Sequence, residues 1–249
     1  MGLFKLTGSS RSRIRGLWLT VMFETEETTM ILRGAVVNFL GDSITEGAGA
    51  SAPEKGFVPV LGERFGLKRA NNYGIGGTRI ARQPVPTPGN ERYDLDFCMR
   101  CKDMDPDADA VVIFGGTNDY GHGLAPVGTL QDRTPDTFCG ACHTLMQSVI
   151  ERWLGKPIVV CTPLHRLDEC NPRGDGSKPD GSAPLKVYRD LLIEIAQWYA
   201  LPVLDLYSVS GLQPEVPAVR EYLMPDGLHP SDAGHAILAE RIGAYLLSL

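Results

Sequence analysis

The stretch Gly41-Asp42-Ser43-Ile44-Thr45-Glu46-Gly47 follows a largely apolar run, Ala35-Val36-Val37-Asn38-Phe39-Leu40. Such a run is typical of a parallel β-strand that is buried on both faces. The glycines around Ser43 predict a turn just past the carboxyl end of this strand, which is where ligands bind in open α/β sheets. The turn exposes the serine hydroxyl, so Ser43 is a candidate nucleophile that needs a histidine base and a carboxylate to orient it.

Both groups occur near the end of the chain, in Asp226-Gly227-Leu228-His229. The spacing places the carboxylate and the imidazole about one turn apart, so one local loop can hold the histidine in a single tautomer. Pro230 and a following helix capped by Ser231 are expected to stiffen that loop. His235 is the alternative base, but the pattern places it inside the final helix.

Strand and helix patterns alternate along the chain. Apolar runs predict strands at 35–40, 68–73, 108–115, 157–161 and 201–206, and helical periodicity predicts helices at 57–65, 134–154, 183–199 and after Ser231. The Pro- and Gly-rich segments 79–104 and 166–182 are predicted loops, the first with a short helix near residues 94–101. This alternation predicts a three-layer α/β/α sandwich around a five-stranded parallel sheet in the flavodoxin-like order 2-1-3-4-5.

The bulk composition fits one domain with a sizeable core. The chain has 249 residues, 43% of them hydrophobic, and a net charge of −6. The charge and the lack of a basic stripe argue against a nucleic-acid partner. No apolar run approaches the roughly 18 residues that span a membrane. We expect residues 1–29 to be an N-terminal extension, disordered or packed as an arm, and residues 30–249 to form the domain. We expect the cytoplasm, with secretion left open.

Six cysteines include two C-x-x-C pairs, Cys98 with Cys101 and Cys139 with Cys142. Two such pairs suit a structural zinc site, a disulfide framework or a redox module. The second pair falls in a helical pattern, and the separation of the pairs exceeds the usual zinc-ribbon spacing. We therefore expect ordinary reduced thiols, and no cluster has the spacing of a catalytic metal site.

Two further blocks follow predicted strand ends: Asn72-Tyr73-Gly74-Ile75-Gly76-Gly77-Thr78 and Gly115-Gly116-Thr117-Asn118-Asp119. With the serine and histidine blocks, and in this order, they resemble the SGNH hydrolases, which are the GDSL-type lipases and esterases. The resemblance covers roughly residues 34–249. A lone Gly-Asp-Ser is a weak signal, whereas four blocks in order are specific.

The resemblance implies Ser43 as the nucleophile, His229 as the general base and Asp226 as the group that orients His229. It also implies an oxyanion hole made by the backbone N–H groups of Ser43 and Gly77 and by the side-chain amide of Asn118. Fixed donors of this kind are what a tetrahedral intermediate requires.

Several of these residues have other possible roles. Gly74 and Gly76 are alternatives to Gly77 as the backbone donor. Asn118 is also typical of a turn residue, and Asp42 is expected to be structural, accepting hydrogen bonds from the turn.

The expected function is that of a serine esterase without metal or cofactor, which acts on a small-molecule or carbohydrate ester. Polar residues near the predicted site favour a short acyl group, such as acetyl on a carbohydrate; they are Arg79, Tyr120, His122 and His165. The alternatives are a lysophospholipase or thioesterase for longer acyl chains and a non-catalytic carbohydrate-binding protein on the same fold. A homo-oligomer is left open.

Overall fold

Five parallel strands form the centre of the molecule. A computed structural model describes residues 32–178 and 182–249, so the predicted extension over residues 1–29 lies outside the described residues. The strands are β1 (Val36–Gly41), β2 (Arg69–Gly74), β3 (Ala110–Phe114), β4 (Ile158–Cys161) and β5 (Val203–Leu204). Their order is β2-β1-β3-β4-β5, and every neighbouring pair is parallel. The predicted strand order is confirmed.

Helices cover both faces of the sheet. They are α1 (Ser43–Glu46), α2 (Phe57–Phe65), α3 (Phe97–Arg100), α4 (Thr117–Gly121), α5 (Phe138–Arg152), α6 (Leu185–Trp198), α7 (Leu206–Val209), α8 (Pro217–Tyr222) and α9 (Asp232–Leu247). Short 3₁₀ turns lie at Pro53–Lys55, Glu91–Asp94 and Cys101–Asp103. The three-layer α/β/α architecture is therefore confirmed.

The strands divide their side chains between two hydrophobic clusters, as the two-residue period of a strand requires. In β1, Leu40 faces the layer of α5 and α6, whereas Val37 and Phe39 face the layer of α2 and α9. The strand β3 alternates in the same way, with Ile113 on the first face and Val112 on the second. This double burial explains why the central strands read as nearly continuous apolar runs.

Most of the predicted strands and helices are present in the structure, but some begin or end at other residues than predicted. The helix predicted from residue 134 begins at Phe138, because the Thr137 side chain accepts a hydrogen bond from Gly140 N and caps it there. The last strand, predicted over 201–206, is reduced to Val203–Leu204. The helix α2 has the predicted bounds and ends at Gly66, whose φ of 67° is left-handed.

The described helices include none that is both long enough and apolar enough to cross a lipid bilayer.

The contact between α9 and the sheet gives a test of the packing. Leu238→Ala is expected to lower the free energy of unfolding by about 2–5 kcal/mol, because the leucine is fully buried and its loss leaves a cavity. Leu247→Ala in the same helix is the matched control, since Leu247 is 39% exposed and should cost less than about 1 kcal/mol. Urea unfolding compares the two variants, and equal losses would contradict the placement of this helix.

Candidate active site

Ser43 is the first residue of the short helix α1, immediately after β1 and Asp42. The turn is tight: a Cβ at Gly41 would lie 1.9 Å from Thr45 Oγ1, so only glycine fits there. Asp42 caps the helix by accepting a hydrogen bond of 3.0 Å from Ile44 N. The serine is consequently held at the sheet edge and is only partly buried.

Ser43 lies in hydrogen-bond contact with His229 although 186 positions separate them in the chain. The Ser43 hydroxyl lies 2.9 Å from His229 Nε2, and His229 Nδ1 lies 2.7 Å from Asp226 Oδ2. An ionised carboxylate only accepts hydrogen bonds, so Nδ1 carries the proton and Nε2 is free to accept the serine proton. The three predicted residues therefore form a continuous hydrogen-bonded chain.

Asp226 also organises the loop that carries the histidine. Its Oδ1 accepts hydrogen bonds from Leu228 N at 2.9 Å and from His229 N at 2.7 Å, which leaves Oδ2 for the imidazole. Partial burial acts to raise the pKa of Asp226, but the bonds from His229 outweigh it and hold the pKa below its usual value. The carboxylate thus stays ionised beside the imidazole.

Contacts outside the loop fix its position. Gly227 has a φ of 77°, and a Cβ there would lie 2.3 Å from Leu167. Leu167 N donates to Gly227 O at 2.9 Å, which joins the loop to the segment after β4. The Ser231 side chain caps α9 by accepting from Gly234 N, as predicted. His235 is buried in α9, and its Nδ1 accepts from Phe57 N, so it is a structural residue.

The end of β2 and the segment after it present several backbone N–H groups, and most of these already donate hydrogen bonds within the protein. Gly74 N donates to Asn72 Oδ1 and Gly76 N to Glu46 Oε2, both at 2.8 Å. Within residues 32–178 and 182–249, no acceptor is found for the N–H of Gly77. Gly77 is therefore the glycine of this block with an N–H available for a ligand.

Asn118 lies in α4, directly after β3, and is 5% exposed. Its Nδ2 donates to Thr78 O at 3.0 Å, and its Oδ1 lies 3.2 Å from His122 Nε2. One proton of the amide is thereby used, and the second is left for another acceptor. The bond to Thr78 places Asn118 next to the Gly77 turn.

Two residues that the sequence did not single out hold this region together. Arg100 is buried and donates to Tyr73 O at 2.6 Å, Gly41 O at 3.0 Å and Thr78 Oγ1 at 2.9 Å. It therefore ties the ends of β1 and β2 to the turn after Gly77. Burial lowers the pKa of Arg100 to about 10, which leaves it charged at neutral pH. No motif marks this arginine for such a role, since these three partners lie far from it in the sequence.

Tyr93 is the second residue that the sequence analysis missed. A Cβ added to Gly77 would lie 2.2 Å from its ring, so the tyrosine packs directly against the glycine. The same ring lies 5.4 Å from the His122 ring, centroid to centroid. Its neighbour Asp94 binds Arg79 at 2.9 Å, which anchors the segment. The long predicted loop thus reaches the candidate site through Tyr93.

Arg79 and Tyr120 do not occupy the predicted pocket surface. Arg79 is 2% exposed, and its guanidinium donates to Asp94, Thr87 and His122. Tyr120 is 1% exposed, and its hydroxyl donates to Asp168 O at 2.5 Å. Side chains buried to this extent have no surface for substrate, so these two predictions are corrected. Both residues instead support the loops around the site.

The other two predicted pocket residues remain partly accessible. His122 is half-buried and contacts Asn118. His165 Nδ1 lies 2.9 Å from Glu169 Oε1, and its ring packs on Tyr207 at 3.6 Å between centroids. His122 thus adjoins the candidate site, whereas the contacts of His165 are with its own loop and α7.

The described residues contain no group of three or more His, Cys, Asp or Glu side chains that could hold a metal ion. All six cysteines are free thiols. Cys98 Sγ donates to Ala141 O at 3.3 Å, so the two C-x-x-C segments pack together through α3 and α5, and no disulfide joins them. Burial raises the pKa of Cys142 well above its usual value, which is typical of an unreactive packing thiol.

The sequence matches the GDSL-like lipase/acylhydrolase family over residues 39–237, and the chain belongs to this family. It is accordingly a hydrolase of the lipase and esterase class. No curated protein shows significant sequence similarity to it.

Solved structures include several similar folds. A protein from Lactobacillus plantarum is 27% identical with a TM-score of 0.74, over 87% of this chain and 98% of its own. The lipase/acylhydrolase from Enterococcus faecalis is 20% identical with a TM-score of 0.58, over 86% of this chain and 96% of its own. A two-domain esterase active on acetylated mannans is 24% identical with a TM-score of 0.54, over 87% of this chain and 50% of its own. The similarity to the Enterococcus faecalis protein and to the mannan esterase shows only that they share the fold.

The burial of Asp42 beside the serine predicts a pH effect on stability. Burial raises the pKa of Asp42 from 3.8 to about 6, against the opposing effect of the Ile44 hydrogen bond. The folded protein therefore binds this proton more tightly than the unfolded chain does. As the pH rises from about 4 to about 6, the contribution of Asp42 to the free energy of unfolding falls. Asp42→Asn cannot ionise, so its stability relative to wild type should improve by about 2–3 kcal/mol between pH 4 and pH 7.

Urea unfolding across this pH range measures the difference. The comparison uses only how the difference in free energy of unfolding changes with pH. A pH-independent effect of the asparagine amide on stability therefore cancels. The exposed Asp107→Asn serves as the control. A difference between Asp42→Asn and wild type that stays flat from pH 4 to pH 7 would contradict the buried carboxyl.

Proposed function

We propose that the protein is a serine esterase that hydrolyses short-chain carboxylic esters through an acyl-enzyme. The observation that carries the proposal is the chain from Ser43 Oγ to His229 Nε2, at 2.9 Å, and from His229 Nδ1 to Asp226 Oδ2, at 2.7 Å. These distances lie within the range for proton transfer between a nucleophile, its base and the group that orients the base.

In the first half of the reaction, the Ser43 oxygen attacks the ester carbonyl carbon while its proton passes to His229 Nε2. The imidazolium that forms is stabilised by the ionised Asp226 carboxylate. The carbonyl oxygen becomes an oxyanion, and the tetrahedral intermediate collapses when the C–O bond to the alcohol breaks. His229 gives its proton to the departing alkoxide, which leaves an acyl group on Ser43.

In the second half, water attacks the acyl carbon and His229 accepts a proton from that water. Collapse of the second intermediate returns the proton to Ser43 and releases the acid. The negative oxygen of both intermediates requires donors that are fixed in advance. The N–H groups of Ser43 and Gly77 and the second proton of Asn118 Nδ2 are suited to this role, because they follow adjacent strands and have no acceptor among the residues that the structure describes.

The segment around Tyr93 supports a short acyl group. Its ring packs on Gly77, the proposed oxyanion donor, and on the His122 ring. The segment is anchored on both sides of the tyrosine, by Arg92 paired with Glu46 and by Asp94 paired with Arg79. A fixed aromatic ring this close to the oxyanion position limits the depth available to an acyl chain.

A polar alcohol is favoured by a cavity beside the acid–base loop. The cavity has a volume of about 450 Å³ and is lined by Leu167, Pro214, Glu215, Pro217, Arg220, Glu221 and Pro225. It adjoins Asp226 through Pro225. Carboxylates and a guanidinium are suitable partners for the hydroxyl groups of a sugar. The esterase active on acetylated mannans, which shares the fold, is consistent with an acetylated carbohydrate as the substrate class.

The nucleophile is tested by Ser43→Ala. The substitution removes the attacking oxygen and leaves a side chain of similar size, so the fold should persist while kcat on aryl acetate falls by at least about 10³-fold. Steady-state kinetics and circular dichroism on the same preparation measure both effects. Retention of more than a few per cent of wild-type kcat, with contamination excluded, would reject the nucleophile and the acyl-enzyme with it.

The acyl preference is tested by kcat/KM on aryl esters from acetyl to dodecanoyl. We expect a maximum at acetyl to butyryl, because longer chains cannot bury their added methylenes, each worth roughly 0.8 kcal/mol when buried. Tyr93→Ala should move the maximum to longer chains. Tyr222→Ala is the control, since Tyr222 is 66% exposed on α8 and should leave the profile unchanged.

A wild-type maximum at octanoyl or longer would overturn the short-acyl proposal. It would favour instead the lysophospholipase or thioesterase alternative. An unchanged profile in Tyr93→Ala would exclude this ring as the limit on chain length.

A further inference from the structure

The amide of Asn118 is held at both ends, and its orientation is fixed by its partners. Thr78 O can only accept a hydrogen bond, so the group that faces it at 3.0 Å must be the NH₂. The amide oxygen therefore faces His122 Nε2, at 3.2 Å. Since that oxygen can only accept, His122 Nε2 must carry a proton. The alternative amide orientation would place two acceptors against each other at Thr78.

The other side of the imidazole is fixed by Arg79. The Arg79 Nη1 lies 3.0 Å from His122 Nδ1, and a guanidinium nitrogen always donates. His122 Nδ1 must therefore be unprotonated. The two contacts together define one neutral tautomer of His122, with its proton on Nε2. This assignment follows from the donor and acceptor chemistry of its neighbours alone.

Arg79 is itself immobilised. Its side chain is 2% exposed and is held by Asp94 Oδ1 at 2.9 Å and by Thr87 Oγ1 at 3.0 Å. The Tyr93 ring covers His122. Burial and the charge of Arg79 lower the pKa of His122 to about 4, which keeps the imidazole neutral at neutral pH. The charges of Arg79, Arg166 and Lys178 lower this pKa, and the charge of Asp175 acts to raise it.

We propose that His122 is a positioning residue for the oxyanion hole, which holds the Asn118 amide so that its second N–H points to the substrate oxygen, and that Arg79 fixes the tautomer that His122 needs. The inference rests on the proposed esterase function. The terminal torsion of an asparagine side chain is broad, so one hydrogen bond to Thr78 leaves the amide free to pivot. A second bond at the opposite end removes that freedom before the substrate arrives, which is what an oxyanion donor requires.

Kinetics on an aryl acetate test the role of His122. His122→Leu removes the bond to Asn118 and should lower kcat by about 10- to 100-fold, with KM changed by less than about 3-fold, since the bond acts mainly in the transition state. His122→Gln keeps a donor for Asn118 and an acceptor for Arg79, so it should recover most of the lost kcat. His143→Leu is the control, because this buried histidine of α5 bonds Tyr199 and Leu130 and should leave kcat unchanged.

The decisive comparison repeats His122→Leu in an Asn118→Ala background. If His122 acts through Asn118, the second substitution should change kcat by less than about 2-fold there, because the group that it positions is gone. An equal loss in both backgrounds would overturn the proposal, and so would a folded glutamine variant no more active than the leucine variant. Neither outcome touches the esterase proposal, which the activity of Ser43→Ala tests separately.

The tautomer can be read in the wild-type protein, which avoids any folding defect of a variant. Nitrogen-15 NMR of histidine-labelled protein should show His122 as a neutral ring with its proton on Nε2, assigned by the signal that disappears in His122→Gln. In Arg79→Met the fixed tautomer should be lost. A wild-type ring with its proton on Nδ1 would contradict the hydrogen-bond chain.

Discussion

The parallel pairing of β1 with β2 on one side and with β3 on the other is the constraint on which the site depends. Because parallel strands end at the same edge of a sheet, the segments that follow these three strands must meet there. Ser43 follows β1, Gly77 follows β2 and Asn118 follows β3. The register leaves little choice, since Gly41 is opposite Gly74 on one side and Phe114 on the other. The sheet therefore supplies three elements of the site before any loop is considered.

Loops complete the site, and buried charged groups hold them. Arg100 bonds backbone oxygens at the ends of β1 and β2, and Asp119 accepts hydrogen bonds of 2.9 Å from Ile80 N and Ala81 N. Burying a charge is costly unless it is paired or hydrogen-bonded, so the folded protein needs these hydrogen bonds to keep the two groups buried. Arg100 thus fixes the ends of β1 and β2, and Asp119 fixes the start of the segment that leads to Tyr93. The precision of the candidate site thus depends on residues that would touch no substrate.

The local part of this arrangement could be predicted from the sequence. Strand periodicity, glycine turns and the Ser231 cap predicted the strands and the ends of several helices, because those signals lie within a few residues of each other. The strand order was predicted from the likeness of the alternating pattern to flavodoxin-like sheets. The Asp226–His229 contact could be predicted for the same reason. The roles of Arg79 and Tyr120 could not be predicted from the sequence. Arg79 binds Asp94 and Tyr120 binds Asp168 O, and only the folded loops bring these partners together. Arg100 and Tyr93 gave no signal, since a residue that binds distant backbone or packs on one glycine leaves no periodic pattern.

The proposed mechanism requires that Ser43 is the residue that becomes acylated. The most direct test is reaction with an aryl phosphonate, which forms a stable covalent adduct with an activated serine, followed by mass spectrometry of the intact protein and of its peptides. We expect a single adduct, on the peptide that contains Ser43, and no adduct in His229→Ala, where no base accepts the serine proton. An adduct on another peptide, or one that forms equally well without His229, would contradict the proposed mechanism.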